Sequence, residues 1–123
     1  MPPLKPKHVG ERPAEFVLGD RFGSTCDGML VSAAFRYFDR IGRPTAHNRP
    51  YAGGYVLDRH AAPTRGIHGL QIEICRSSYL DARFEQPSAR MGTVARLLAG
   101  LVRELAGEIA EFGRDRGFPL AAE

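Results

Sequence analysis

Glu73 is the residue of this sequence best suited to acid–base chemistry, and it lies in residues 66–75, GIHGLQIEIC. The β-branched residues of that stretch predict a strand. Side chains alternate across a strand, so the face opposite Glu73 is entirely apolar, with Leu70, Ile72 and Ile74. Gln71 shares the face of Glu73, and the usual strand rise places the amide and the carboxylate roughly 7 Å apart.

A carboxylate among β-branched neighbours costs free energy unless it is hydrated, paired or bound to a ligand. Two explanations fit Glu73. Either the strand borders a cleft that holds water, where the carboxylate can take a proton from a water molecule, or it is an edge strand whose second face is wet. The residues of the strand leave both open.

Other sequence signatures of catalysis are missing. The sequence contains no HExxH or CxxC pattern for zinc and no GxSxG pattern for a nucleophilic serine. Residues 19–24, GDRFGS, lack the lysine of a phosphate-binding loop. An acid–base carboxylate commonly works with a metal that activates the electrophile, and these patterns identify no ligands for one.

Composition indicates one domain in an ordinary globular chain of 123 residues with a formal net charge of +3. Acidic residues interrupt the basic ones, so we expect no nucleic-acid partner. The apolar run at residues 97–102 is too short to span a bilayer, and the N-terminus lacks the apolar region of a secretory signal. The cysteines, Cys26 and Cys75, are therefore expected to be free thiols of a cytoplasmic protein.

The elements that must position Glu73 can be read in order along the chain. Residues 1–14 hold four of the nine prolines and predict an extended arm. The remaining predictions are a strand at 15–19, a turn at 20–25, a helix at 27–41, a short strand at 45–48, a glycine-containing loop at 48–54, one helical turn within 55–65, and a long helix from about residue 88 to Gly113 or Gly117. Alternating strands and helices predict an α/β fold with about three strands, formed by residues 1–123 as one domain.

Each long helix has an apolar stripe at the spacing of a helix face. The first stripe consists of Met29, Leu30, Ala33, Ala34, Tyr37, Phe38 and Ile41. The second consists of Met91, Val94, Ala95, Leu98, Leu101, Val102, Leu105, Ile109 and Phe112. Gly92, Gly100 and Gly107 each weaken the second helix by about 1 kcal/mol relative to alanine, unless close packing requires a small residue.

Residues 48–81 carry a set of residues at fixed spacings. They read N-x-P-Y-x-G-G-Y at 48–55, proline at 63, G-I-H-G-L-Q-I-E-I at 66–74 and R-x-x-Y-L-D at 76–81. With these spacings the chain resembles the N-formylglutamate amidohydrolase (N-formylglutamate deformylase) family, over about residues 1–105.

The resemblance implies a partial zinc-carboxypeptidase-like, three-layer α/β fold with few strands and two long helices. It implies zinc-assisted hydrolysis of the amide bond of N-formyl or N-acyl amino acids, a reaction of amino-acid degradation, with Glu73 moving the proton. The positions that it assigns to the substrate site are Asn48, Gly53, Gly54, Tyr55, Gln71, Arg76 and Tyr79. Arg76 suits a substrate carboxylate because a guanidinium group forms two parallel hydrogen bonds to one. A structural salt bridge is the alternative for Arg76.

In that family the metal-binding histidine and acidic motifs come before the part that matches, and this sequence begins at Met1 just beyond them. The resemblance therefore implies a C-terminal fragment without zinc ligands, which by itself does not hydrolyse N-formyl amino acids. The alternative is a non-catalytic α/β module that forms a homo-oligomer or binds a partner chain, since losing half of a sheet exposes an apolar edge.

Overall fold

The strand Phe16–Gly19 (β1) lies in the middle of a three-stranded sheet in the computed structural model, which describes residues 1–116. Thr45–His47 (β2) pairs with β1 in parallel, and Gln71–Ile74 (β3) pairs with it antiparallel. Every residue of β1 is buried. The α/β fold and the number of strands predicted from the sequence are confirmed for this part of the chain.

The strand β3 is shorter than the strand predicted over residues 66–75, and it lies at the edge of the sheet. Pro63–Arg65 forms a 3-10 turn that Gly66 closes in the left-handed conformation, with φ of 78°. Ile67 then pairs with Ala62 and not with the sheet. The predicted strand was too long because glycine at positive φ turns the chain before the strand begins, whereas the edge position was one of the two alternatives left open.

The helix Gly28–Arg40 (α1) begins at Asp27, whose carboxylate accepts a hydrogen bond of 2.9 Å from the backbone N–H of Met29. This bond satisfies one of the free donors of the first helical turn. The buried residues of α1 are Leu30, Val31, Ala33, Ala34, Tyr37 and Phe38. Met29 and Ile41, predicted on the apolar face, are exposed because they lie at the two ends of the helix, beyond the edge of the core.

The helix Met91–Arg116 (α3) starts three residues after the predicted position and continues through Gly113; the alternative end at Gly117 lies outside the described residues. Its buried residues are Val94, Leu97, Leu101 and Phe112. Four members of the predicted stripe, Met91, Ala95, Val102 and Ile109, are exposed, and Leu97 was missed. The predicted stripe was too wide, since α3 contacts α1 and the sheet along one narrow face.

The helices cover one face of the sheet. The core between the layers is formed by Phe16, Leu18, Ala34, Tyr37, Phe38, Leu97 and Leu101. Two ion pairs, Arg40–Glu104 at 3.2 Å and Arg36–Glu108 at 3.9 Å, join α1 to α3 at the rim of this core. The sheet therefore has one apolar face under the helices and a second face that the loops cover.

The segments between these elements are short. Tyr55–His60 (α2) is the helical turn predicted within residues 55–65, and Arg76–Ser78 forms a second 3-10 turn after β3. Residues 1–14 contain no helix or strand, in agreement with the predicted arm. No helix in the described range 1–116 has the length and apolar character that crossing a membrane requires.

Candidate functional site

The two faces of β3 differ as the alternation predicts. Ile72 and Ile74 pack against the core under the helices. Glu73 lies opposite Val17 and Gln71 lies opposite Gly19 in the antiparallel register with β1. Directly paired residues of an antiparallel sheet project to the same face. Glu73 and Gln71 therefore lie on the second face of the sheet, away from the helices.

Glu73 is held on this face by polar contacts. The Nε2 atom of Gln71 donates to Oε1 of Glu73 at 3.3 Å, so the two side chains meet, although strand spacing predicted a separation of about 7 Å. The amino group of Met1 lies 3.9 Å from Oε2 of Glu73 and donates to the carbonyl of Ile74 at 2.7 Å. With its side chain 33% exposed, Glu73 is within reach of water but is not fully solvated.

The loop at residues 48–54 packs on this same face. A Cβ atom on Gly19 would lie 2.6 Å from the carbonyl carbon of Ala52 and 3.0 Å from the amide nitrogen of Gly53, closer than side chains tolerate. Because Gly19 is opposite Gln71, the loop backbone lies beside the Gln71–Glu73 pair. Gly53 has φ of 94°, and a side chain there would overlap Leu57. The described contacts of Gly53 are thus with the protein itself.

Asn48 is part of a buried polar cluster at the carboxyl ends of β1 and β2. Its Nδ2 donates to Oδ1 of Asp20 at 2.8 Å, and its Oδ1 accepts from the backbone N–H of Asp20 at 2.9 Å. Nε2 of His47 approaches Oδ1 of Asp20 at 3.0 Å. Burial raises the pKa of Asp20, but hydrogen bonds from Asn48, Gly23 and His47 outweigh it and hold this pKa below its usual value. Asn48 therefore joins two strand ends, and its role in substrate binding stays a prediction.

The cluster of Asp20, His47 and Asn48 was not found from the sequence. The sequence did carry a signal for this cluster. Asp20 directly follows β1 and Asn48 directly follows β2, and the structure shows that these two strands are parallel neighbours. Ligands of α/β proteins bind at the carboxyl ends of such strands. The parallel pairing itself, and with it the meeting of residues 20 and 47, could not be read from two short segments that are distant in the sequence.

Arg76 and Tyr79 follow β3. The guanidinium group of Arg76 stacks on the ring of Phe84 at 5.0 Å, and its side chain is exposed. Within residues 1–116 the guanidinium group of Arg76 forms no ion pair, and its described contact is the cation–π contact with Phe84. Tyr79 is half-buried, and its backbone carbonyl accepts from Ser88 at 2.8 Å. Tyr55, the first residue of α2, is exposed.

Within the described range, no group of three histidine, cysteine, aspartate or glutamate side chains could hold a metal ion. His68 accepts from the backbone N–H of Asp27 at 3.1 Å and meets the ring of Phe112 edge-on. The expectation that the sequence holds no zinc motif was wrong in one respect, since His8 and Glu11 have a His-x-x-Glu spacing. Their described contact is a turn of the exposed arm, where Glu11 accepts from the backbone N–H of His8 at 3.1 Å.

The cysteines are free, as predicted, and both are buried. Burial raises the pKa of Cys26 to about 11, and the carboxylates of Asp20 and Asp27 add to the shift. Thiolates are the reactive form of cysteine. Burial and the raised pKa keep the Cys26 thiol protonated at neutral pH, which makes it a poor nucleophile.

Three comparisons place this chain among known proteins. A family model described as N-formylglutamate amidohydrolase matches residues 1–80. An N-formylglutamate deformylase from Pseudomonas aeruginosa is 26% identical over 108 residues, which are 83% of this chain and 38% of that protein. The crystal structure of an N-formylglutamate amidohydrolase from Ralstonia eutropha JMP134 matches with a TM-score of 0.70 and 37% identity, covering 90% of this chain and 38% of that one. The chain thus spans 38% of the length of each of these relatives.

Proposed function

Because this chain belongs to the N-formylglutamate amidohydrolase family, we propose that it takes part in hydrolysing the amide bond of N-formyl or other N-acyl amino acids. Glu73 is the group that transfers the proton. The observation that supports this role is the position of Glu73, half-exposed on the polar face of β3 with Gln71 bonded to it and the 48–54 loop beside it.

Hydrolysis of an amide bond requires two proton transfers. Water must lose a proton as its oxygen bonds to the acyl carbon, and the leaving nitrogen must gain a proton as the carbon–nitrogen bond breaks. One carboxylate can accept the first proton and deliver the second, which returns it to its starting state. Gln71, by donating to Oε1, fixes the orientation of Glu73. Oε2, which lies 3.9 Å from the amino group of Met1, is the atom proposed to carry the proton.

Arg76 is the residue proposed to bind the substrate carboxylate. It is exposed, three residues beyond Glu73, and its guanidinium plane is supported by Phe84. A cation–π contact leaves the N–H groups at the guanidinium edge available for two parallel hydrogen bonds to a carboxylate. The rest of the proposed substrate-binding surface is formed by Gly53, Gly54, Tyr55 and Tyr79. Asn48 contributes indirectly, because it anchors the 48–54 loop.

Zinc is the metal that the family resemblance implies. The described residues do not by themselves fit a zinc site, because structural and catalytic zinc sites use at least three protein ligands and no such group occurs in residues 1–116. No step above depends on the metal. We propose that this chain contributes the proton-transfer residue and a substrate-binding surface, and that on its own, even with added zinc, it does not release formate from N-formyl amino acids.

A chimera tests the role of Glu73. The matching segment of the Pseudomonas aeruginosa deformylase is replaced by this chain, and formate release from N-formyl-L-glutamate is measured. We expect Glu73→Gln to lower the rate about 10²- to 10⁴-fold, the usual contribution of a general acid–base residue. Glu85→Gln, at an exposed glutamate in the loop before α3, is the matched control and keeps the rate within about twofold. A folded chimera that is inactive, or one whose activity survives Glu73→Gln, contradicts the proposal.

A second candidate function is a non-catalytic module that associates with itself or with another chain. It is favoured by the position of β3 at the sheet edge. On that edge the described backbone hydrogen bonds are those of Met1, which donates to the carbonyl of Ile74 and accepts from the N–H of Arg76. Exposed strand edges are sites of strand pairing between chains. Light scattering over a range of protein concentrations tests this candidate, and a monomer at every concentration counts against it.

A further inference from the structure

A cleft of about 490 Å³ lies at the amino ends of β1 and β2, at the other end of β1 from the Asp20 cluster. Chain segments that are distant in sequence form its wall. The residues that matter here are Arg12, Glu15, Arg43, Ser77, Arg90 and Thr93. The proposed hydrolysis uses none of them.

The cleft has more positive than negative charge. Glu15 accepts from Arg43 at 2.6 Å through Oε2 and from Arg12 at 3.0 Å through Oε1. One carboxylate therefore faces two guanidinium groups. Arg90 is the third, and its described partners are the backbone carbonyls of Ser77 and Leu80, each at 3.0 Å, which carry no net charge. Three positive groups and one negative group leave two positive charges uncompensated in the lining.

The charged groups of this lining differ in exposure: Arg12 is 68% exposed and Arg90 is exposed, whereas the Arg43–Glu15 pair is partly buried. Arg43 and Glu15 are each only 25% exposed, so water screens them less than it screens surface residues. Arg43 uses Nε for Glu15, which leaves the terminal N–H groups of its guanidinium as donors. Ser77 and Thr93 line the same space, and a hydroxyl group can donate a hydrogen bond to an anion; the hydroxyl of Ser77 also meets Sγ of Cys75 at 3.0 Å.

We propose that this cleft binds a small oxyanion with two negative charges, either a phosphate group or a dicarboxylate. Guanidinium groups recognise both through parallel charge-assisted hydrogen bonds. A dianion matches the two uncompensated charges. This site is separate from Glu73, and the inference does not depend on the proposed hydrolysis.

Calorimetric titration of the 123-residue chain with inorganic phosphate, succinate and acetate at equal ionic strength tests the inference. We expect saturable binding of at least one dianion and much weaker binding of acetate. Tighter phosphate binding identifies a phosphate ligand, and tighter succinate binding identifies a dicarboxylate; either result supports the site. Absence of saturable binding, or acetate bound as tightly as the dianions, overturns it.

Matched arginine variants locate the binding. Arg12→Gln and Arg43→Gln are each expected to weaken dianion affinity about tenfold, as loss of one charge-assisted hydrogen bond does. Arg65→Gln makes the same change in net charge at an exposed position outside the cleft and leaves affinity within about twofold. Arg12 is 68% exposed, so its variant should unfold at the temperature of the unchanged protein when no anion is present. If Arg65→Gln weakens binding as much as Arg12→Gln does, the affinity is a general charge effect and the cleft is not the site.

Discussion

The glycines of α3 allow a sharp test of how this helix packs on α1. Alanine is favoured over glycine in a helix by about 1 kcal/mol. At Gly107 a Cβ atom would meet nothing within 4 Å, so Gly107→Ala should stabilise the protein by about that amount. At Gly100 the same atom would overlap the hydroxyl of Tyr37 and lie 3.2 Å from its Cζ. That hydroxyl donates to the buried carbonyl of Leu97 at 2.7 Å.

Gly100→Ala must therefore displace Tyr37. Overpacking costs about 1–3 kcal/mol and loss of the buried hydrogen bond about another 1–3 kcal/mol, against a gain of about 1 kcal/mol from helix propensity. We expect a net loss of about 1–5 kcal/mol, measured by urea unfolding followed by circular dichroism. Tyr37→Phe removes the overlapping oxygen, so Gly100→Ala should cost less in that background. Equal effects of alanine at positions 100 and 107 would refute this account of the packing.

Three further predictions concern the buried polar and thiol groups. The pKa of Asp20 is lower in the folded protein than its ordinary value of 3.8, so its contribution to stability is present above that pH and is lost as the pH falls through the folded value. The free energy of unfolding, measured with urea at a series of acidic pH values, should fall less steeply with decreasing pH for Asp20→Ala than for the unchanged protein. Equal slopes would contradict this linkage. Asn48 has φ of 61°, so Asn48→Ala should be less stable than Asn48→Gly by about 1–2 kcal/mol, although both lose the bonds to Asp20; equal stabilities would argue against strain at this position. Cys26, with its pKa raised to about 11, should react with iodoacetamide only slowly until urea unfolds the chain, and fast alkylation of the folded protein would show that the thiol is accessible.

Local features of this protein were readable from the sequence. The helix α1 was placed to within one residue at each end, because the cap at Asp27 and the repeat of apolar residues act over a few neighbouring positions. The alternation that puts Ile72 and Ile74 under the helices and Glu73 on the other face was predicted correctly for the same reason. The family resemblance was also carried by local spacings, within residues 48–81.

The site itself could be predicted only in part. The sequence identified Glu73 and its neighbour Gln71, but not that their side chains are in contact or that the 48–54 loop packs on Gly19 beside them. The assignment of Asn48 to substrate binding came from resemblance. The structure adds that its amide is engaged with Asp20, a contact across 28 positions of sequence.

The sequence by itself determined the class of fold, the helices and the polarity of each strand face, since these depend on residues a few positions apart. Only the tertiary structure decided that β1 and not β3 is the middle strand, that Gly100 needs to be glycine while Gly107 does not, and that Arg12, Arg43 and Arg90 line one cleft. Each of these facts depends on segments that meet only when the chain has packed. Hydrophobic burial drives that packing, and it depends on area and not on order in the sequence, so no local pattern records which segments will meet.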